Sequence, residues 1–326
     1  MRKERVEALI HRGLLAPAFG VTLWGGLGDT IYSRTVLKAA CKAHSDVLVS
    51  TCWPQLVSDL GVRIAAPPKE LVDSHKLRTQ ARNIDTKPEM WGTETLRVVH
   101  ARPGYGTERM MAGQSIHEAL AASCRGLQVL DEHIGLPVRD EWRDEAQRVL
   151  EAAGKPKGEP YGVVRPATLR GEWECASRNP HPEAVYEAVA EMRRAGLWTL
   201  AFADVCDKER LDAPWPETHT RLAGEQLSVG GVAALLADAE VSIVPECFAL
   251  PLSVAVGGNT VWISSGWLPP ALLVPASIVP PGSRCRVVEP ERACGCFSMS
   301  HGCDKRVIVG EAALAVQEAL DGRALR

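Results

Sequence analysis

Residues 154–160 divide the chain into two halves of nearly equal length. Their sequence is GKPKGEP, in which two glycines, two prolines and three charged residues exclude the interior of a helix or strand. Each half then begins in the same way, with a short apolar run, a turn and an amphipathic helix. Alternation of this kind predicts right-handed crossovers and a parallel sheet. The sequence therefore predicts an α/β protein of two Rossmann-like domains, residues 1–155 and 156–326, with a cleft between them.

The first half opens with an apolar run, residues 19–24, that predicts a buried strand. The turn GGLGD follows at residues 25–29, and helical spacing continues over residues 30–44. Two further strands are predicted at residues 46–51 and 61–65. This order places a glycine-rich turn between the first strand and the first helix, where glycines allow a ligand to approach the backbone.

The second half follows the same scheme with more regular spacing. Strands are predicted at residues 161–164, 197–201, 241–244 and 260–264, and helices at residues 182–195, 229–237, 247–256 and 311–325. The last of these helices is expected to pack back on the N-terminal domain.

Asp29 ends the glycine-rich turn and has two interpretations. A dinucleotide site would need a further glycine at Ile31, and a P-loop would need lysine and then serine or threonine after the last glycine; the sequence has neither. Aspartate at the start of a helix usually serves as a cap. It could instead be a general base that faces the cleft, where the helix dipole favours its ionised form. The spacing alone favours the cap.

Three segments together resemble the heptosyltransferase-like family, glycosyltransferase family 9. They are WGGLGDT at residues 24–30, VRPATLRGEW at residues 164–173 and LSVGGVAALLADA at residues 227–239, and they stand in the family's order and spacing. The resemblance implies a GT-B fold and an inverting glycosyltransferase, an enzyme that moves a sugar from a nucleotide-sugar to an acceptor hydroxyl. It also implies that Asp29 is the general base, with the acceptor on the N-terminal domain and the donor on the C-terminal domain.

The resemblance also implies a donor site, at which this sequence departs from the family pattern. The implied donor residues are Gly26, Gly28, Thr168, Arg170, Arg178, Glu246, Cys247 and Phe248. The family's donor helix opens with NDSGPMH, whereas residues 245–251 read PECFALP. Glu246 keeps an acid for ribose hydroxyls or for a helix cap, but Phe248 replaces a glycine and Pro251 a histidine. These departures leave two alternatives: the donor is a different nucleotide-sugar from the family's, or the site has decayed. ADP and UDP are the nucleotides expected first.

The chemistry is expected to need no metal ion and no cofactor besides the nucleotide-sugar, because no D-x-D motif stands at a predicted strand end. The acceptor implied by the family is a glycan hydroxyl. Two alternatives stay open. The acceptor could be a hydroxylated DNA base, or the chain could be a non-catalytic protein that binds nucleotides or glycans and has kept only the fold.

The candidate acceptor residues are Lys76, Arg78, Arg82 and Tyr105. The first three lie in the basic stretch HKLRTQAR, residues 75–82. A solvated loop is the ordinary interpretation of such a stretch. The alternative is that the stretch binds an anionic acceptor, either a phosphorylated glycan or a nucleic-acid backbone.

Four cysteines near the C-terminus form the candidate metal site. They are Cys285, Cys294, Cys296 and Cys303, and His301 lies among them. Thiolates and imidazole could close a tetrahedral zinc site. The C-x-C spacing is tighter than the usual zinc spacing, so free thiols or a disulfide are favoured over structural zinc.

The overall composition gives no sign of a nucleic-acid or membrane protein. The formal net charge is −3, which provides no general attraction to DNA. No apolar run approaches the roughly 18 residues of a membrane-spanning helix, and the N-terminus lacks the apolar core of a signal peptide. A cytoplasmic protein is expected.

Overall fold

The computed structural model of the protein describes residues 18–72, 92–96, 98–167, 169–170, 173–174, 178–203, 215–222, 226–298 and 301–322. Four of the candidate residues, Lys76, Arg78, Arg82 and Thr168, lie outside these ranges. Arg170 is described only through the backbone of its strand. The proposed roles of these five residues stay predictions.

The N-terminal sheet has three parallel strands in the order β1-β2-β3. They are β1 (Phe19–Thr22), β2 (Val47–Ser50) and β3 (Arg63–Ala65), as the apolar runs predicted. Instead of one helix after the glycine-rich turn, the chain forms α1 (Leu27–Tyr32) and α2 (Arg34–Ala43). They meet at Ser33, whose hydroxyl donates to the Asp29 carbonyl at 2.7 Å. The Ser33 amide donates to the same carbonyl at 3.0 Å. A serine that also bonds the carbonyl four residues back in this way bends a helix, and the two helices meet at this residue.

The C-terminal sheet has six parallel strands in the order β11-β10-β9-β4-β7-β8. The strands are β4 (Tyr161–Val164), β7 (Trp198–Phe202), β8 (Thr220–Leu222), β9 (Val241–Val244), β10 (Asn259–Ile263) and β11 (Arg284–Val288). A two-stranded antiparallel hairpin, β5 (Leu169–Arg170) and β6 (Trp173–Glu174), follows β4. The strand order reverses between β4 and β9, and open α/β sheets bind their ligands at the carboxyl ends of the strands beside such a reversal.

Helices cover both sheets. In the first half they are α3 (Thr107–Met111), α4 (Ile116–Ser123) and α5 (Asp140–Ala152), and in the second half α6 (Pro182–Arg194), α7 (Val229–Asp238), α8 (Ala249–Ala255), α9 (Pro270–Leu273) and α10 (Glu311–Asp321). No helix in the described part of the chain is both long and apolar enough to cross a membrane. The predicted α/β architecture with parallel sheets is confirmed.

Helix α5 belongs by its packing to the C-terminal half. It lies against α7, where the Trp142 ring occupies the space that a side chain at Gly230 would need. Glu145 accepts hydrogen bonds from the Ser228 amide and hydroxyl, both at 2.6 Å, at the start of α7. A boundary at residue 155 would separate α5 from this surface, and the boundary stays a prediction.

The last helix corrects an expectation. Within the described residues, helix α10 packs on α6 and beside β10 and β11 of the C-terminal sheet, rather than back on the N-terminal half. Its buried residues Ala312, Val316 and Ala319 join Val185 and Ala188 of α6 in one apolar cluster. The small side chains on one face of α10 let the two helices approach, and this contact fixes the position of α10.

Candidate active site

Asp29 lies in the first turn of α1, directly after β1. The N-cap of this helix is Gly26, so Asp29 is the third helical residue rather than the cap itself. One carboxylate oxygen, Oδ2, accepts from the Gly26 amide at 2.7 Å, and the other, Oδ1, accepts a short hydrogen bond from the Tyr105 hydroxyl. A side chain at Gly25 would collide with Asp29, so glycine is required there. The carboxylate both caps the helix and is held at a fixed place after β1.

Tyr105 contacts Asp29 and is packed edge-on against Tyr32, with ring centroids 6.1 Å apart. Burial, and then the negative charge of Asp29, raise the pKa of Tyr105 well above its usual value, while the charge of Arg178 lowers it. The hydroxyl therefore stays protonated at neutral pH and donates to the carboxylate. Tyr105 was predicted to contact the acceptor, and the structure gives it a position beside the proposed base.

Gly28 brings α1 against α8 of the C-terminal half. A Cβ atom at Gly28 would lie 3.6 Å from both Phe248 Cα and Pro251 Cγ. Phe248 and Pro251 are the residues that replace a glycine and a histidine of the family's donor helix. The glycine-rich turn and the altered donor segment are therefore in direct contact, and the proposed donor role of Gly28 stays a prediction.

Arg165 lies at the reversal of strand order, immediately after β4, and only 1% of it is exposed. Its guanidinium carbon lies 5.5 Å from the Phe248 ring centre and 5.8 Å from that of Phe202. Burial raises the pKa of the neighbouring Cys247 thiol, and the positive charge of Arg165 opposes this shift. Sequence reasoning missed Arg165, although it is the second residue of VRPATLRGEW, one of the three segments that carry the resemblance.

Glu246 follows β9 on the other side of the same reversal and is buried. Its carboxylate accepts from the Ser264 hydroxyl at 2.9 Å and from the Ser265 amide at 3.0 Å. The predicted helix begins later than expected, at Ala249 with Phe248 as its N-cap, so Glu246 does not cap it. Instead, Glu246 ties the connection after β9 to the connection after β10. Its proposed contact with ribose stays a prediction.

Replacing Glu246 by glutamine should change how stability depends on pH. Burial raises the pKa of Glu246 to about 7, against 4.5 for an ordinary glutamate, although its hydrogen bonds lower it. Between these two values the unfolded chain is ionised and the folded chain holds a proton, so the stability of the wild type falls as pH rises. Above pH 7 the accumulated cost is on the order of 3 kcal/mol. Glutamine can keep the hydrogen bonds without the charge, so Glu246→Gln should be the more stable protein at pH 8.

Urea unfolding at pH 5 and pH 8 measures this difference. Glu141, which is exposed on α5, provides the control, and Glu141→Gln should leave the pH dependence of the wild type unchanged. A gap between wild type and Glu246→Gln that is constant from pH 5 to pH 8 would contradict the expectation.

Arg178 extends the site from the C-terminal half. Its guanidinium carbon lies 5.1 Å from the centre of the Trp267 ring. Its buried Nε has no hydrogen-bond partner within the described part of the chain. The charge of Arg178 also lowers the pKa of Tyr32, which burial and then Asp29 raise well above the usual value. Arg178 thus acts electrostatically on the two tyrosines near Asp29, and its proposed role in donor binding stays a prediction.

The cysteine cluster differs from the predicted set by one member. Cys294, Cys296, His301 and Cys303 bring their ligand atoms within 4.8 Å of one another. Cys285 is not among them, because it lies on β11 and packs against the hydrophobic core. The cysteines that the structure describes are all free thiols, so the disulfide alternative is not realised among them.

Several solved structures with the same fold are glycosyltransferases. A family 9 glycosyl transferase from Veillonella parvula DSM 2008 aligns with 84% of this chain and 86% of its own, at a TM-score of 0.56 and 14% identity. The E. coli ADP-heptose lps heptosyltransferase II aligns with 94% of this chain and 98% of its own, at a TM-score of 0.58 and 14% identity. The iron-containing dodecameric glycosyltransferase TibC of enterotoxigenic E. coli H10407 aligns with 95% of this chain and 77% of its own, at a TM-score of 0.51 and 14% identity. TibC has also been solved in complex with ADP-D-β-D-heptose.

No protein-family model and no curated protein matches the sequence. At 14% identity the structural likeness establishes the fold. The fold that the three sequence segments implied is therefore confirmed.

Proposed function

We propose that the protein is an inverting glycosyltransferase that moves a sugar from a nucleoside diphosphate to an acceptor hydroxyl, with Asp29 as general base. The observation that carries the proposal is the placement of the Asp29 carboxylate. The Gly26 amide and the Tyr105 hydroxyl hold it after β1. The same turn lies against Phe248, at the strand reversal of the C-terminal sheet.

The reaction is a direct displacement at the anomeric carbon of the sugar. The acceptor oxygen forms the new bond to that carbon while Asp29 takes the hydroxyl proton. The bond from the anomeric carbon to the diphosphate breaks, and the diphosphate leaves with the electron pair. A positioned general base contributes about 10²–10⁴-fold to such a step.

Positive charge on the donor side would stabilise the departing diphosphate. Arg178 is the proposed direct contact, because its Nε is unpartnered within the described residues and its charge reaches Tyr105. Arg165 lies next to the Phe248 ring, and its positive charge lowers the pKa of the Cys247 thiol. Preorganised cations of this kind stabilise the transition state directly, so the transfer itself requires no metal ion or cofactor.

The donor we propose is an ADP-linked sugar. The support is that TibC, which shares this fold, has been solved with ADP-D-β-D-heptose. The acceptor is a hydroxyl compound, for which a glycan is the family's precedent. The basic stretch of residues 75–82, which suggested DNA as an alternative acceptor, lies outside the described residues. The cytoplasmic location of the protein also stays a prediction.

One observation favours a rival function, that of a binding protein without turnover. Phe248 and Pro251 fill the position where the family has a glycine and a histidine, and both lie against Gly28. A closed contact here would leave little space for a diphosphate. A transferase should bind a nucleotide-sugar and turn it over, whereas the rival should bind without turnover.

Thermal unfolding with a panel of nucleotides tests the donor. We expect ADP and ADP-sugars to raise the Tm, and UDP, GDP, CMP and dTDP to have smaller effects. Ligand at a hundredfold excess over Kd stabilises the folded state by about 2.7 kcal/mol, which gives a measurable shift. Arg178→Gln should abolish most of the shift, whereas Arg194→Gln, an exposed residue at the end of α6, should retain it.

The outcomes separate the possibilities. A shift with another nucleotide alone would replace ADP as the donor. The absence of a shift with every nucleotide would overturn the transferase and point to a decayed site. Nucleotide binding without any transfer to a panel of hydroxyl acceptors would favour the binding protein.

A further inference from the structure

We infer that Cys294, Cys296, His301 and Cys303 form a metal site that takes one tetrahedral divalent ion, zinc or ferrous iron, and that this ion fastens the loop after β10. The four ligand atoms lie within 4.8 Å of one another, although none of the four residues lies in a helix or a strand. Three thiols and one imidazole are donors that both ions accept.

The spacing of the donors fits one ion. Zinc–sulfur bonds of about 2.3 Å and zinc–nitrogen bonds of about 2.0–2.1 Å place tetrahedral sulfur–nitrogen edges at about 3.5 Å. The His301 Nδ1 atom lies 3.4 Å from Cys294 Sγ and 3.0 Å from Cys296 Sγ. Small side-chain movements would bring these edges to the tetrahedral value.

The hydrogen bond of His301 selects the nitrogen that can bind a metal. The Nε2 atom lies 3.3 Å from the Ser265 carbonyl oxygen, which can only accept, so Nε2 carries the proton. In the neutral ring, Nδ1 is then the unprotonated nitrogen, and it faces the sulfurs. Metal-binding histidines are commonly oriented in this way by a carbonyl on the opposite nitrogen. His301 is also buried, which keeps its ring in place.

The backbone of the segment is shaped to bring the cysteines together. Gly295 has a φ of 52° and Phe297 a φ of 56°, and Phe297 is a residue for which the left-handed region is costly. Both residues donate backbone hydrogen bonds to the loop after β10, Gly295 to the Gly266 carbonyl at 2.9 Å and Phe297 to the Trp267 carbonyl at 3.2 Å. This conformation turns Cys294 and Cys296 to the same side. A metal bridge would hold a conformation that the side chains alone disfavour.

The fastened loop connects the cluster to the proposed active site. Ser265 binds His301 through its carbonyl and Glu246 through its amide. Trp267, two residues further, carries the guanidinium of Arg178 on its ring. The ion would therefore position Arg178 without touching the substrate. This last step rests on the proposed function, whereas the metal site does not.

A disulfide explains the cluster less completely. It would join two of the three sulfur atoms and leave one thiol and the imidazole outside the bond, whereas one ion would bind all four groups. The odd number of sulfurs and the orientation of His301 thus both favour a metal.

Metal analysis of the full chain tests the inference. The protein is purified without a histidine tag under nitrogen, from cells grown separately with added zinc and with added iron. We expect close to one ion per chain, and the two cultures show which ion the site prefers. Cys296→Ser and Cys303→Ser should lose the ion, whereas Cys285→Ser, the neighbouring cysteine outside the cluster, should keep it. Wild-type protein without metal from both cultures would overturn the site.

A second measurement applies if the variants fail to fold. Metal-free wild type is reconstituted with Co²⁺, which gives strong visible bands in a tetrahedral site and sulfur-to-cobalt charge-transfer bands in the near ultraviolet. The absence of these bands would overturn the site. The presence of both would support it.

Hydrogen exchange separates this inference from the proposed function. Without donor or acceptor, the amides of residues 264–268 should exchange more slowly in the metal-bound chain than in the metal-free chain. Residues 161–164, the buried strand β4, serve as the internal reference. Unchanged exchange in a chain that binds the ion would overturn the fastening of the loop, and neither result depends on glycosyl transfer.

Discussion

Replacing Asp29 by asparagine should lower kcat about 10²–10⁴-fold and leave the affinity for the nucleotide-sugar nearly unchanged. Asparagine has the same shape and can still accept from the Gly26 amide, which Asp29 does at 2.7 Å. It cannot take a proton from the acceptor. The measurement is transfer under single-turnover conditions, together with the Tm shift that the donor produces.

A matched control exists in α4. Glu118 is also the third residue of its helix, and it accepts from the Ser115 amide at 2.7 Å. Asp29→Asn and Glu118→Gln therefore each remove a favourable negative charge from a first helical turn, at a cost of about 0.3–1 kcal/mol in stability. Only Asp29→Asn should lose turnover. Equal activity in the two variants would show that Asp29 is a cap and nothing more.

The strands were predicted well because their signal is local. The bounds of β4 and β9 agree with the apolar runs that predicted them, since both strands are buried on both faces and end at polar or turn residues. The helix after the glycine-rich turn was predicted as one because its apolar spacing continues through Ser33. The break coincides with a hydrogen bond from the Ser33 hydroxyl to the Asp29 carbonyl, which spacing does not reveal.

The site was predicted in part, for the same reason. Asp29 was found because its whole context is a local pattern, strand, glycines and helix start. Its partner Tyr105 is 76 residues away, and the contacts of Arg165 with Phe248 cross between strands, so only the fold brings them together. Cys285 was grouped with the other cysteines by proximity in sequence. Its place on strand β11, packed against the core, separates it from them, whereas the other three cysteines lie outside helices and strands and converge on His301.

Replacing Arg34 by methionine should destabilise the protein by about 3–5 kcal/mol, the range for breaking a buried ion pair from one side. The Arg34 side chain is fully buried, and it forms a two-pronged pair with Asp59, at 2.8 and 2.7 Å. It also donates to the backbone carbonyls of Leu56, Ile134 and Gly135. Methionine fills similar space but leaves the Asp59 carboxylate and these carbonyls without their donor. Urea unfolding measures the loss.

Arg63 provides the matched comparison, because it pairs with two carboxylates, Asp46 and Glu94, but at the surface. Its side chain is 46% exposed, so Arg63→Met should cost no more than about 1 kcal/mol. A similar loss in both variants would mean that burial does not set the strength of the Arg34 pair.

The double variant Arg34→Met with Asp59→Leu separates charge from backbone contacts. Removing both charges avoids an unpaired buried carboxylate, so part of the stability should return. The return should be incomplete, because the carbonyls of Ile134 and Gly135 still lack a donor. Those carbonyls stand where the chain crosses to the C-terminal half, next to the Ile134 and Leu136 amides that bond to Ile278 and Ala255. Arg34, five residues after Asp29, therefore anchors the helix that follows the proposed base to the segment that joins the two sheets.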